Sequence, residues 1–203
     1  RGIFIGLSAG TGGAGRALSG GLAAMDATLS TMIGHRLFTV LVLDDARGLN
    51  RRFHSSRPVE YPVGGYKPIQ RDSEYYRRVV AAGEARFCRD RADIIRAFPD
   101  HELILSLGCE SCVNMPIRWN GHTLGALNLL NVAGHYGEAQ LPLLRVFAAL
   151  AVAPLAFFIM AVMGFEAYRR RWRRLQRERR GKLEMHRHGE DEEGGGGGGS
   201  GGG

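Results

Sequence analysis

Apolar residues recur along this chain with two periods. "ALSGGLAAMDATLSTMIG" spaces Leu18, Leu22, Met25, Leu29 and Met32 at threes and fours, so one face of a helix there is apolar. "LFTVLVLD" (37–44) is a run of apolar and β-branched residues, the pattern of a buried strand. "LNRRFHSS" (49–56) is a second strand, and the loop "DARG" before it is short enough to require an antiparallel hairpin. "YPVGGYKPI" (61–69), punctuated by Pro and Gly, reads as a loop. "RDSEYYRRVVAAG" (71–83) is a predicted helix stopped by Gly83, and "EARFCR" (84–89) is a short strand. "RADIIRAFPDHELILSLG" (91–108) predicts two short helices broken at Pro99. Two further strands, 111–119 and 122–131, flank Asn120-Gly121, whose residues both tolerate the positive φ of a tight hairpin turn. "GEAQLPLLRVFAALAV" (137–152) begins a closing helix.

Helix, hairpin, helix, strand, helices, hairpin, helix is the order of an α+β fold, with a mostly antiparallel sheet covered by helices. Four zones follow: a Gly/Ala-rich leader over 1–20, one domain over 21–155, an apolar then basic helical tail over 156–188, and a Gly-rich tail over 189–203 that offers no side chains to bury. The leader and the Gly-rich tail are expected to be flexible. The leader contains "GTGGAG", a G-x-G-x-x-G run, with Asp44 at the end of the next strand. Asp44 lies 34 positions after Gly10, where a dinucleotide fingerprint needs about 20. The hairpins that follow also lack repeated crossovers, so a plain leader is the expected reading.

"GCESCVNMPIRWNGHTLGALNLLN" carries the strongest likeness to a known family. Ser111, Pro116, the turn at Gly121 and Leu124-Gly125-Ala126-Leu127-Asn128-Leu129, together with the closing helix "LPLLRVFAALA", resemble the GAF domain family over about 20–155. The resemblance implies a GAF-like sheet of about six strands with helices on both faces. It also implies a pocket on one face beneath 61–108, in which family members bind small molecules. The expected function is therefore that of a non-catalytic, small-molecule-binding sensory or regulatory domain, dimeric through its terminal helices. The resemblance does not fix a ligand, and no cofactor is assigned.

Ten polar residues are candidates for the pocket lining. Tyr61, Tyr66, Lys67, Asp100, His101, Glu102, Asn114 and Asn128 form the expected ligand-binding set, with Arg89 and Asp90 considered beside them. Asn114 and Asn128 lie within apolar strands, where an amide needs a partner; an inter-strand hydrogen bond and a ligand contact both satisfy that need. Asp100 follows Pro99 at a helix start, so N-capping is the competing role for it. Asp100 and Glu102, two apart, do not face one site on a helix, which excludes paired acid–base work by them.

Three cysteines, Cys88, Cys109 and Cys112, cannot all pair, and the odd count points to a reducing, cytoplasmic setting. The C-x-x-C at 109–112 lacks the helix N-terminus that acidifies a redox thiol. It also lacks the further ligands of a zinc site, so no metal is expected and packing is the favoured role. The alternative is a redox enzyme acting on a small sulfur-containing substrate through Cys109 with Cys88 or Cys112. One GAF branch reduces free methionine sulfoxide, but its cysteines do not map onto these positions, and a bilin-type Cys-His pair is missing from "PDHELILSLGC".

The formal charge is +7, yet 166–203 alone contribute 10 basic and 7 acidic residues. Arg169 to Lys182 form a basic patch without a groove-reading motif, so no specific nucleic-acid partner is expected. Val146 to Phe165 are 20 residues without a charge, followed by Arg around Trp172. That composition suits a membrane-tethered sensor with lipid contact through 146–175. Half of the run is also the expected closing helix, and the same residues cannot both pack on the sheet and span lipid.

Overall fold

The computed structural model describes residues 13–45, 47–160 and 172–177. It divides into two units, 1–156 and 157–203; the fold and the site belong to the first, and in the second 172–177 are helical. The Gly-rich tail, most of the basic segment and Gly10–Gly12 lie outside the described residues.

Six strands form one sheet in the order β3-β2-β1-β6-β5-β4: β1 (Leu37–Asp44), β2 (Leu49–Ser55), β3 (Tyr66–Pro68), β4 (Arg86–Cys88), β5 (Ser111–Trp119) and β6 (His122–Asn131). Every pairing is antiparallel. Both expected hairpins form, and Asn120 (φ 48°) and Gly121 (φ 79°) turn the second with the positive dihedrals foreseen for them. The crossovers of a dinucleotide fold do not occur among these strands, and the Asp44 carboxylate is occupied by Arg47 at 2.9 Å and Arg51 at 3.5 Å.

Helices cover both faces. One face carries Phe38, Val40 and Val42 and lies under α1 (Gly13–Met32) and α4 (Leu141–Leu150). The contact with α1 is fixed by Asp26, which accepts from His35 at 3.1 Å and His54 at 3.0 Å. On the α4 side, Leu155 approaches the β6 backbone at Gly125. A Cβ on Gly125 would lie 1.9 Å from the Leu41 carbonyl oxygen of β1, so the Gly of the Leu-Gly-Ala-Leu run is required by the close approach of two strands. The opposite face lies under a π-helical segment (Tyr76–Ala82), α2 (Arg91–Ala97) and α3 (His101–Ser106). Its apolar cluster joins Leu37, Leu130 and all three cysteines to Ile94 and Ile104.

Three expectations need correction. The segment 61–69 is not wholly loop, because Tyr66–Pro68 pairs with β2 as an edge strand; its three residues and its Pro are what an edge tolerates and what conceals it from periodicity. The helix expected over 71–83 covers 74–82, with Tyr76–Ala82 π-helical, and Gly83 ends it in the left-handed region as foreseen. The first helix begins at Gly13, inside the stretch read as leader.

Within the apolar run 146–165, Phe147, Ala148, Ala151 and Leu155 are buried. Helical residues Glu138–Met160 are long and apolar enough to cross a membrane by composition, but the α4 portion packs against β5.

Candidate functional site

A cavity of about 510 Å³ lies on the α2–α3 side of the sheet, within the size range of small-molecule sites. Its floor is polar in the middle and apolar at the margin, and the strand register explains why. Thr39 of β1 faces Asn128 of β6, Asn128 faces Asn114 of β5, and Asn114 faces Arg86 of β4. These four residues form one row across four adjacent strands. Thr39 Oγ1 accepts from Asn128 Nδ2 at 3.2 Å, and Asn128 Oδ1 accepts from Asn114 Nδ2 at 2.7 Å. Asn114 Oδ1 accepts from Arg86 Nη1 at 3.4 Å, and Arg86 Nε donates to Glu74 at 3.0 Å. The inter-strand hydrogen bond considered for the two amides therefore forms, and both also line the cavity. Asn114 is 1% exposed, so each donor in this row satisfies an acceptor that would otherwise be stranded.

The cavity rim is built by the 56–65 loop, β3 and the α2–α3 junction. Tyr61 Oη donates to Asp100 Oδ2 at 2.6 Å, and Lys67 Nζ donates to Asp100 Oδ1 at 2.5 Å. Asp100 occupies the N-cap position of α3, but its side chain makes no capping bond. Its carboxylate is spent on the rim instead, so the capping role considered for it is overturned. Burial alone would raise the Asp100 pKa, and the Lys67 and Tyr61 bonds outweigh burial and hold it below the ordinary carboxylate value. Burial, reinforced by Asp100, pushes Tyr61 up and keeps its phenol protonated. Burial also lowers Lys67, against the pull of Asp100.

Of the residues expected at the site, Tyr61, Tyr66, Lys67, Asp100, Asn114 and Asn128 line the cavity, whereas His101 and Glu102 do not. His101 bonds through Nδ1 to the Phe98 carbonyl at 3.0 Å, and Glu102 is exposed; the helix turns both away from the rim that Asp100 joins. Arg89 and Asp90 are exposed outside it, and Asp90 caps α2 by accepting from the Asp93 N–H at 2.9 Å. Thr39, Asn50, Arg52 and Arg86 line the cavity without having been expected there. Arg86 shares a face with Cys88 in the short strand, a two-residue spacing that was legible. Arg52 was not legible, because Phe53 is an extra residue opposite the Val40–Leu41 step. That bulge turns His54 toward α1 while Arg52 stays on the cavity side.

The thiols are buried and free. Burial pushes Cys109 up to about 11. Burial, helped by Cys88, raises Cys112 well above the ordinary thiol, while the Cys112 bond lowers Cys88, its direct partner across the strands. Among the described residues no group of His, Cys, Asp and Glu is placed to hold a metal ion.

A family model described as "GAF domain" matches residues 23–154. No curated protein matches the chain in sequence. Among solved structures it is similar to the GAF domain of a two-component sensor histidine kinase from Bacillus halodurans, at 15% identity and a TM-score of 0.58, over 71% of this chain and 97% of that one. It is also similar to the GAF domain of a phosphoenolpyruvate-protein phosphotransferase from Acinetobacter, at 14% identity and a TM-score of 0.56, over 75% and 95% of the two chains. A third is a type II free methionine-R-sulfoxide reductase from Thermoplasma acidophilum, at 15% identity and a TM-score of 0.52, over 71% and 96%. At these identities the likeness is one of fold.

Proposed function

The chain belongs to the GAF domain family, and from that premise we propose that it is a small-molecule-binding regulatory domain without catalysis of its own. The observation that carries this reading is the cavity of about 510 Å³ whose floor is an ordered polar row set among apolar residues. Convergent, fully oriented polar groups in an apolar pocket are what a selective ligand site requires. The output would be a population shift: a ligand that favours one packing of the surrounding elements changes their equilibrium by its differential affinity. A surface for a second copy is supported by the groove between α1 and α4, lined by Leu22, Met25, Phe147 and Leu150, and by Val146 and Leu150 exposed beside it. The buried α4 residues favour that role over lipid contact.

The cysteine-based alternative has less support. A thiol held protonated by burial is a poor nucleophile, and Cys109 is wholly buried. The free thiols are compatible with a cytoplasmic setting.

Native mass spectrometry of the purified chain tests the proposal. A small molecule held one to one per subunit, released on unfolding and lost when Asn114 is replaced, is the expected result. An empty cavity that takes up no member of a metabolite library would overturn it.

A further inference from the structure

Arg51 and Arg52 are neighbours with opposite fates. Arg51 faces Asp44. Arg52 lies on the cavity side, is 9% exposed, and has no carboxylate within ion-pair distance among the described residues. Its Nη1 donates to the Pro62 carbonyl at 2.7 Å, and its guanidinium stacks 3.4 Å from the centre of the Tyr61 ring. Its Nε has no hydrogen-bond partner among the described residues. A buried guanidinium normally meets a carboxylate, because an unpaired charge in a desolvated site is costly. The nearby carboxylate, Asp100, is already shared by Lys67 and Tyr61.

Gly65 leaves room for this guanidinium, since a Cβ there would lie 2.8 Å from Arg52 Nη1. Among the described residues the cavity is lined by the cations Arg52, Lys67 and Arg86 against the single carboxylate of Asp100. Glu74 reaches Arg86 from a half-exposed position. An excess of positive charge therefore faces the ligand space. Leu37, Leu130, Phe98 and Ile104 supply apolar wall around it.

We propose that the cavity takes a small organic carboxylate, with its anionic head on the cavity-facing side of the Arg52 guanidinium and its apolar body against Leu37, Leu130 and Phe98. The assignment rests on the ligand-binding reading above and names the class of ligand. A planar carboxylate matches the edge of a guanidinium in a way that an amide or a sphere of charge does not.

The test uses the full chain and matched probes: benzoate, hexanoate and 3-phenylpropionate, their primary amides, and inorganic phosphate, titrated by calorimetry and by thermal shift. Carboxylates are expected to bind roughly ten- to a hundredfold more tightly than their amides, the span of a hydrogen bond to a charged partner. Arg52→Met should erase that preference while melting at or above the wild-type temperature without ligand, because an apolar side chain of similar reach replaces an unpaired charge. Arg52→Lys, which keeps the charge and loses the planar fork, should fall between. Amides binding as well as carboxylates would sink the carboxylate assignment and leave the small-molecule reading standing. Uptake of neither kind of probe would count against both. Preference for phosphate, or a carboxylate preference that survives in Arg52→Met, would move the head group away from this assignment. The wild-type comparison of acid with amide decides the matter even if a variant fails to fold.

Discussion

Asn114→Ala and Asn128→Ala, made singly and together, probe the polar row on the cavity floor. The single change at Asn114 removes the donor held 2.7 Å from Asn128 Oδ1 and the acceptor held 3.4 Å from Arg86 Nη1. Asn128, 5% exposed, is left with its Oδ1 unpartnered, and a stranded acceptor of that kind costs roughly 1–3 kcal/mol. The change at Asn128 strands Asn114 Nδ2 in the same way and takes the donor from Thr39 Oγ1. Each single variant should therefore lose about 2 kcal/mol of unfolding free energy. In the double variant neither amide remains to be stranded, so its loss should fall short of the sum of the singles by about 1–2 kcal/mol. Urea unfolding of the four proteins, followed by fluorescence and circular dichroism with slopes compared, measures this coupling. Losses that add to within about 0.5 kcal/mol would refute the direct bond and the closed row drawn from it.

Other outcomes follow from single features of the fold. Burial works against ionised Asp26, but the bonds from His35 and His54 bring its pKa from 3.8 to about 2. The stabilisation is thus present above pH 4 and lost as pH falls toward 2. Wild type should lose about 1 kcal/mol more than Asp26→Asn over that window in urea melts, after screening of a partly exposed carboxyl is allowed for. Gly65→Ala should push Arg52 off Tyr61 and weaken carboxylate binding about tenfold, a discrimination worth one hydrogen bond to a charge; unchanged affinity in calorimetry would contradict the role given to Gly65. A thiol reagent should find none of Cys88, Cys109 and Cys112 in the native chain and all three in denaturant, and fast native labelling of Cys109 would revive the redox alternative. Val146→Glu with Leu150→Glu should abolish self-association in sedimentation, and an unchanged oligomer would remove the α1–α4 groove as the contact.

What the sequence by itself determined is local. Spacings of three and four placed α1, apolar runs placed β1, β5 and β6, and Asn120-Gly121 carried its own turn geometry, because each depends on neighbours a few residues away. The resemblance in 107–131 also brought the family and its antiparallel sheet into view. The tertiary structure decided the site, and it did so through two single-residue irregularities. The bulge at Phe53 puts Arg52 on the cavity side, where strict alternation would place it with His54. In the second hairpin the register shifts between Ile117 and Arg118, so Asn114 lies opposite Asn128 instead of Leu127. A slip of one residue exchanges the faces of a strand, and no local pattern announces it. Asp100 makes the same point at longer range: its position after Pro99 suits a cap, but folding brings Tyr61 and Lys67, more than thirty residues away, within reach of its carboxylate. Their bonds are stronger than the cap it would otherwise supply, because one of the partners is charged.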